Sequence, residues 1–285
     1  MVSEEGGQPA PFETRRSYRY CWVVDPLDGT KEFLKRNGEF TVMIGLVDFT
    51  GKAVAGSVHV PCTGQTYYAA AGTGAWLREG ADMSAAGEAR VEGAYGRAAA
   101  AAAAAAASAA GATASGVAAD GAKPEASAGA LQAAAVAAAD AGVSTRAIRC
   151  AEFSEQDEGL AIVASASHLS PETEAFCRRF QAPSFSQVGS SLKMMRVAEG
   201  AAHCYPRLAP TMEWDTAAAD VIVREAGGEL LRAGACDGKS GKLLPGVDWE
   251  AELAAGRPVV YNKPDLLNPY FVCWGKRRAA PSPSS

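Results

Sequence analysis

Between Ser84 and Val143 the chain carries 31 of its 61 alanines in 60 residues, ten of them consecutive from Ala98 to Ala107. Large apolar side chains are nearly absent from this tract, so it has little to bury against the entropy of being ordered. Alanine favours helix intrinsically, yet a helix with no apolar stripe has no face to dock. We therefore read residues 84–147 as a low-complexity insertion that divides the foldable chain in two. What remains, about 225 of 285 residues, suffices for one large domain or two lobes with a core.

The two flanks carry different patterns. Ahead of the insertion, Cys21–Val24, Thr41–Val47, Ala53–Val60 and Gln65–Ala71 are short strand-like runs, the last three joined by short turns. Such spacing predicts an antiparallel meander. Behind the insertion, strands alternate with helices. Leu160–Ala164 predicts a strand, and Ser170-Pro171 supplies an N-cap and a first-turn proline for a helix running to about Phe180. Phe185–Val188 is strand-like, Gly189-Ser190-Ser191 opens a helix carrying Leu192, Met195 and Ala198, and Ala202–Tyr205 is again strand-like. Asp215 stands where an N-cap belongs, before a helix with Ala218, Val221, Ile222 and Ala226 on one face and Gly227-Gly228 at its end. The expectation is an α+β lobe over residues 1–83, an α/β lobe over 148–275, and a disordered tail from 276 to 285.

Charge and cysteine usage remove several function classes. Lys and Arg number 27 against 32 Asp and Glu, a net charge of -5, which gives no electrostatic footprint for a nucleic acid polymer. No run of roughly eighteen bulky apolar residues predicts a transmembrane segment, and the first residues lack a signal-peptide pattern. Seven scattered cysteines without a C-x-x-C pair predict free thiols in a reducing compartment. A cytoplasmic chain is expected, or a plastid or mitochondrial one if a transit peptide precedes Met1. Trp22, Trp76, Trp249 and Trp274 are expected to be structural, and His59 and His203 to be packing or surface residues.

The most informative segment is Asp25-Pro26-Leu27-Asp28-Gly29-Thr30. Two carboxylates three residues apart, flanking a carbonyl on one loop, can supply several oxygen ligands to a hard cation such as Mg²⁺. The Gly29 and Thr30 N–H groups at a helix start could face an anion. An ordinary Asp-Gly turn is the competing reading. Elsewhere, Ser3-Glu4-Glu5 offers adjacent acids, Trp214-Asp215-Thr216-Ala217-Ala218 an acid at a helix start, and Gly189-Ser190-Ser191-Leu192-Lys193 hydroxyls and an ammonium at another.

Together these segments resemble the signatures D-P-[IL]-D-G-T and W-D-x-A-A of the lithium-sensitive, Mg²⁺-dependent phosphatases of the inositol monophosphatase superfamily. Lys31-Glu32-Phe33 and Lys35–Thr41 are most similar to the 3'(2'),5'-bisphosphate nucleotidase, or CysQ-type, branch. The resemblance implies a two-lobed αβαβα layered sandwich, here without the two helices that the family places ahead of the glutamate matching Glu4. It implies a monomeric phosphomonoesterase with two or three Mg²⁺, acting on a nucleotide bisphosphate or an inositol phosphate. The metal ligands would be Glu4, Asp25, the Leu27 carbonyl, Asp28 and Asp215. Glu5, Asp28 and Thr30 would be catalytic, with Glu5 acting on the nucleophilic water and the Thr30 hydroxyl orienting it. Leu27, Gly29, Thr30 and Asp215 would face the scissile phosphate, and His168, Ser190, Lys193 and Arg207 would contact the nucleotide and its second phosphate.

Overall fold

A computed structural model describes residues 1–80, 143–164 and 170–278. His168, most of the Ala-rich tract and the last seven residues lie outside them. Seven strands form one sheet in chain order: β1 (Val2–Ser3), β2 (Tyr20–Asp28), β3 (Thr41–Asp48), β4 (Ala53–Val60), β5 (Gln65–Ala70), β6 (Ala75–Glu79) and β7 (Ser144–Ile148). All neighbours pair antiparallel except β1 with β2. The expected meander is present and extends further than its sequence pattern did. Strand β7 was placed in the insertion, yet it pairs with β6 from Ala75↔Ile148 to Glu79↔Ser144. Of its five residues only Ile148 is buried, so backbone pairing places it in the sheet and no apolar alternation announces it.

Among the described residues two short helices lie in this half, α1 (Phe12–Arg15) and α2 (Thr30–Lys35). The second half contributes β8 (Glu152–Phe153), β9 (Ala161–Ala164), α3 (Pro171–Cys177), β10 (Ser184–Gln187), α4 (Leu192–Ala198), β11 (Cys204–Arg207), α5 (Ala217–Glu225), β12 (Glu229–Arg232), α6 (Trp249–Ala254), β13 (Phe271–Trp274) and β14 (Lys276–Arg277). Five of its strands make a mixed sheet in the order β10-β9-β11-β13-β12. Ser170 caps α3 as predicted, its side chain accepting the Thr173 N–H. The expected tail begins as ordered chain: β14 pairs parallel with β8, and Arg277 bridges Glu229 and Glu155.

Helices α4 and α5 pack against each other, α4 also touching the second sheet and α5 the first. They form the buried layer of the sandwich. The approach of α5 to the first sheet is set by two glycines paired across β3 and β4, Gly45 and Gly56. A Cβ on Gly56 would lie 2.3 Å from the Ala218 carbonyl oxygen, and one on Gly45 3.0 Å from the Ala218 nitrogen. The Ala217-Ala218 pair is thus a packing requirement, since helix backbone lies directly on strand backbone. A second core surrounds the fully buried Trp274, with Phe153, Phe176 and Phe180 around its ring. Trp22 differs from expectation: it is 45% exposed on the outer face of the first sheet. All seven cysteines are free, and only Cys62 is exposed.

Candidate metal centre and phosphate site

Asp25 and Asp28 stand three apart on β2, a spacing that would turn them to opposite faces of a regular strand. The β2–β3 register breaks between them: Asp25 faces Met43 and Asp28 faces Thr41, so three steps on β2 match two on β3. The extra residue of this bulge brings both carboxylates to one side. Asp215 reaches them from the second half of the chain, carried by a single 3-10 turn (Glu213–Asp215) that leads into α5. Each of the three offers a carboxylate oxygen within 4.8 Å of the others.

Asp215 was expected to cap α5, but the N-cap position belongs to Thr216 and the Asp215 Oδ2 accepts the Met212 N–H at 2.8 Å. The turn is held by Glu213, which is fully buried and accepts the Asn262 N–H at 2.6 Å, the Lys263 N–H at 3.0 Å and the Lys263 Nζ at 2.5 Å. Opposite, the Asp25 Oδ1 accepts the Leu27 N–H at 2.9 Å. The Asp28 Oδ2 accepts from the Ser191 N–H at 2.5 Å, the Thr41 hydroxyl at 3.2 Å and the Ser190 hydroxyl.

A pattern unites the three. One oxygen of each carboxylate is tied to the chain, and the Asp25 Oδ2 is buried without a hydrogen-bond partner. Burial pushes the Asp25 carboxyl up to about 8, with the Asp28 carboxylate adding to it. Burial likewise pushes Asp215 up to about 7, with Asp28 and Glu4 contributing. An all-oxygen donor set with an orphaned buried carboxylate oxygen fits a hard divalent cation, which would relieve both the desolvation and the mutual repulsion.

Glu4 follows β1, its N–H on the Val24 carbonyl at 3.3 Å, and its charge is felt at Asp25 and Asp215 although its carboxylate is outside the three-acid cluster. Glu5 is exposed and is also outside it. Gly29 adopts φ +91, and a Cβ there would stand 3.0 Å from that of Ser190. Glycine thus lets the Asp25–Gly29 segment turn directly against the Gly189–Ser191 loop that opens α4 (the α4 loop), and Thr30 begins α2 exposed to solvent. Lys193 is half-buried. Its Nζ donates to the Val188 carbonyl at 3.3 Å and lies over the Tyr205 ring, and burial lowers its pKa to about 8 against the pull of Asp28. Arg207 ends β11, with Nη2 on the Pro210 carbonyl at 3.2 Å and a buried Nε that has no partner.

Sequence patterns assign no site role to Glu39, Glu213 or Thr41, and to Ser191 only that of a hydroxyl at a helix start. Glu39 accepts the Gly189 N–H at 2.8 Å, and the Thr41 hydroxyl meets those of Ser190 and Ser191. Asp28 lies 13 residues before Thr41, but their other partners named above lie 49 to 163 residues away, beyond the reach of any local pattern. The His203 Nδ1 accepts the Ala161 N–H at 2.8 Å and the ring packs on Phe153, as expected of a structural histidine.

The sequence profile of the inositol monophosphatase family matches residues 1–268. The chain is 29% identical over 272 residues to the 3'(2'),5'-bisphosphate nucleotidase CysQ of Escherichia coli strain K12, spanning 95% of this chain and 74% of that protein. The Salmonella typhimurium counterpart is 31% identical over 230 residues, 81% of this chain and 65% of that one. Among solved structures, CysQ from Bacteroides thetaiotaomicron, a bacterial member of the inositol monophosphatase family, superposes with a TM-score of 0.61 at 33% identity, over 97% of this chain and 77% of that one. Staphylococcal SaIMPase-II, solved with inositol monophosphate or with 2'AMP, has a TM-score of 0.53 at 17% identity and shares the fold.

Proposed function

Because the chain belongs to the inositol monophosphatase family, we propose that it is a Mg²⁺-dependent phosphomonoesterase that removes the 3'-phosphate of adenosine 3',5'-bisphosphate, giving AMP and phosphate. The observation that carries the reading is the trio Asp25, Asp28 and Asp215, which converge with the Asp25 Oδ2 buried and unpartnered. These carboxylates, with Glu4 and the Leu27 carbonyl, would hold two or three cations. When bound, such cations neutralise phosphate charge and acidify a ligated water.

The rest is positioning and charge. Gly29 and Thr30 would offer backbone N–H groups to the scissile phosphate, with the Thr30 hydroxyl and Glu5 directing the water. Ser190 and His168 would contact the nucleotide. Lys193 and Arg207 would face the second phosphate, Arg207 with its planar fork and Lys193 as a point charge. Preference for a nucleotide over an inositol phosphate is supported by the CysQ relatives near 30% identity. We propose further that the enzyme serves sulfur assimilation and nucleotide detoxification, in the cytoplasm and as a monomer.

The test is phosphate release from adenosine 3',5'-bisphosphate, inositol 1-phosphate and inositol 1,4-bisphosphate, each with and without Mg²⁺ and Li⁺. The bisphosphate nucleotide is expected to be the best substrate, with release dependent on Mg²⁺ and suppressed by Li⁺. Faster release from inositol 1-phosphate would refute the nucleotide assignment, and no release from any of the three by folded protein would refute the phosphatase.

A further inference from the structure

Thr41 is completely buried at the start of β3, directly across the sheet from Asp28. Its hydroxyl lies 2.7 Å from the Ser191 Oγ, 2.9 Å from the Ser190 Oγ and 3.2 Å from the Asp28 Oδ2. Three hydroxyls bring three protons, and an ionised carboxylate only accepts. Ser190 spends its proton on the Asp28 Oδ2. The Thr41 proton is shared between the Ser190 Oγ and the Asp28 Oδ2, and the contact between Ser191 and Thr41 is made by the Ser191 proton. The hydroxyls form a directed chain, Ser191 to Thr41 to Ser190 to Asp28, in which each bond polarises the next.

The chain has something to hold. Ser190 sits at φ +55, a left-handed conformation that a residue with a side chain adopts only when its surroundings impose it. Beside it, Glu39 takes the Gly189 N–H, so one stretch of β3 and its approach clamps the α4 loop at two points. All of the donors reach the same Asp28 oxygen, Oδ2. The Asp28 Oδ1 is left for the cluster.

We infer that Thr41 is a positioning residue for the metal centre: through Ser190 and Ser191 it fixes the rotation of the Asp28 carboxylate and so sets the affinity for the divalent cation. The inference rests on the metal-dependent reading above, and titration of Mg²⁺ alone separates the two. Calorimetry on the full chain should give T41V an Mg²⁺ affinity about tenfold or more below that of the parent, the usual loss when an outer partner of a metal ligand is removed. T41S, which keeps the hydroxyl, should stay within about twofold of the parent by the same reasoning. In turnover assays T41V should need more Mg²⁺ for half-maximal rate, while the KM for substrate at saturating Mg²⁺ is unchanged.

Parental Mg²⁺ affinity in T41V, or equal loss in T41V and T41S, overturns the inference. Should T41V fail to fold by circular dichroism, S191A decides instead: it removes the first proton of the chain and leaves β3 intact. Weaker Mg²⁺ binding by S191A supports the role, and parental binding overturns it. A parent chain that binds Mg²⁺ but hydrolyses no phosphate ester would refute the proposed activity alone. A parent that binds no Mg²⁺ would refute both.

Discussion

Asp25 is where the cost of the site is concentrated. A buried carboxylate with one unpartnered oxygen, beside two other acids, resists ionisation, which is why its pKa rises to about 8 and that of Asp215 to about 7. In the unfolded chain both ionise near their ordinary value of 3.8. Between those limits the folded state binds more protons than the unfolded state, so stability falls as pH rises. Thermal melts in chelator should therefore show the metal-free protein losing stability from about pH 4 to 8, and saturating Mg²⁺ should flatten that slope. Asp25→Asn should raise the metal-free melting temperature by a few degrees at pH 8 and abolish Mg²⁺ binding, a trade of function for stability. A lower melting temperature would show that the Asp25 charge is already compensated.

At the scale of elements, the contact of α5 with β3 and β4 decides where Asp215 stands. Gly56→Ala would drive a methyl into the Ala218 carbonyl, and the helix would have to lift. Urea unfolding should register a loss of about 1–3 kcal/mol, as expected for overpacking. Turnover should fall further than stability alone explains, because Asp215 moves with the helix. This relation was half legible: the W-D-T-A-A segment and the 3.6-residue spacing of Ala218, Val221 and Ile222 predicted the helix, but nothing local tied its alanines to Gly45 and Gly56. Strands were legible where apolar residues alternate, as in β3 and β4. They were not in β7, which buries one residue. Strand β10 was anticipated at Phe185–Val188, although Ser184–Gln187 are all exposed and it is parallel pairing with β9 that holds them in the sheet. The Asp25 and Asp28 pair was readable as a metal loop, whereas the bulge that turns both inward was not. Thr41 was legible as the start of a strand and within the Lys35–Thr41 stretch but not as a partner of the carboxylates, because both of its serine partners come from the other half of the chain.

For the whole molecule, the insertion joins strands that are already hydrogen-bonded neighbours, with Glu79 opposite Ser144. Closing a loop costs entropy that grows only with the logarithm of its length. Replacing residues 81–142 by a six-residue Gly/Ser turn should thus leave Mg²⁺ binding and turnover intact. It should also raise the unfolding free energy by about 2 kcal/mol, from the loop-length relation. Loss of activity with retained fold would give the tract a role in catalysis.

The bond between Thr41 and Ser191 spans 150 residues, and Asp28 meets Ser190 and Ser191 over a still greater separation. Contacts of such high order form after local structure, once their entropy of closure has been met. During synthesis the first sheet is complete only after β7 emerges, and the α4 loop follows roughly forty residues later. While only the first half of the chain is outside the ribosome, Asp28 lacks the Ser190 and Ser191 partners that orient it. On the proposed reading, cation capture would be a late event in the life of the nascent chain, open only to copies whose two halves have met.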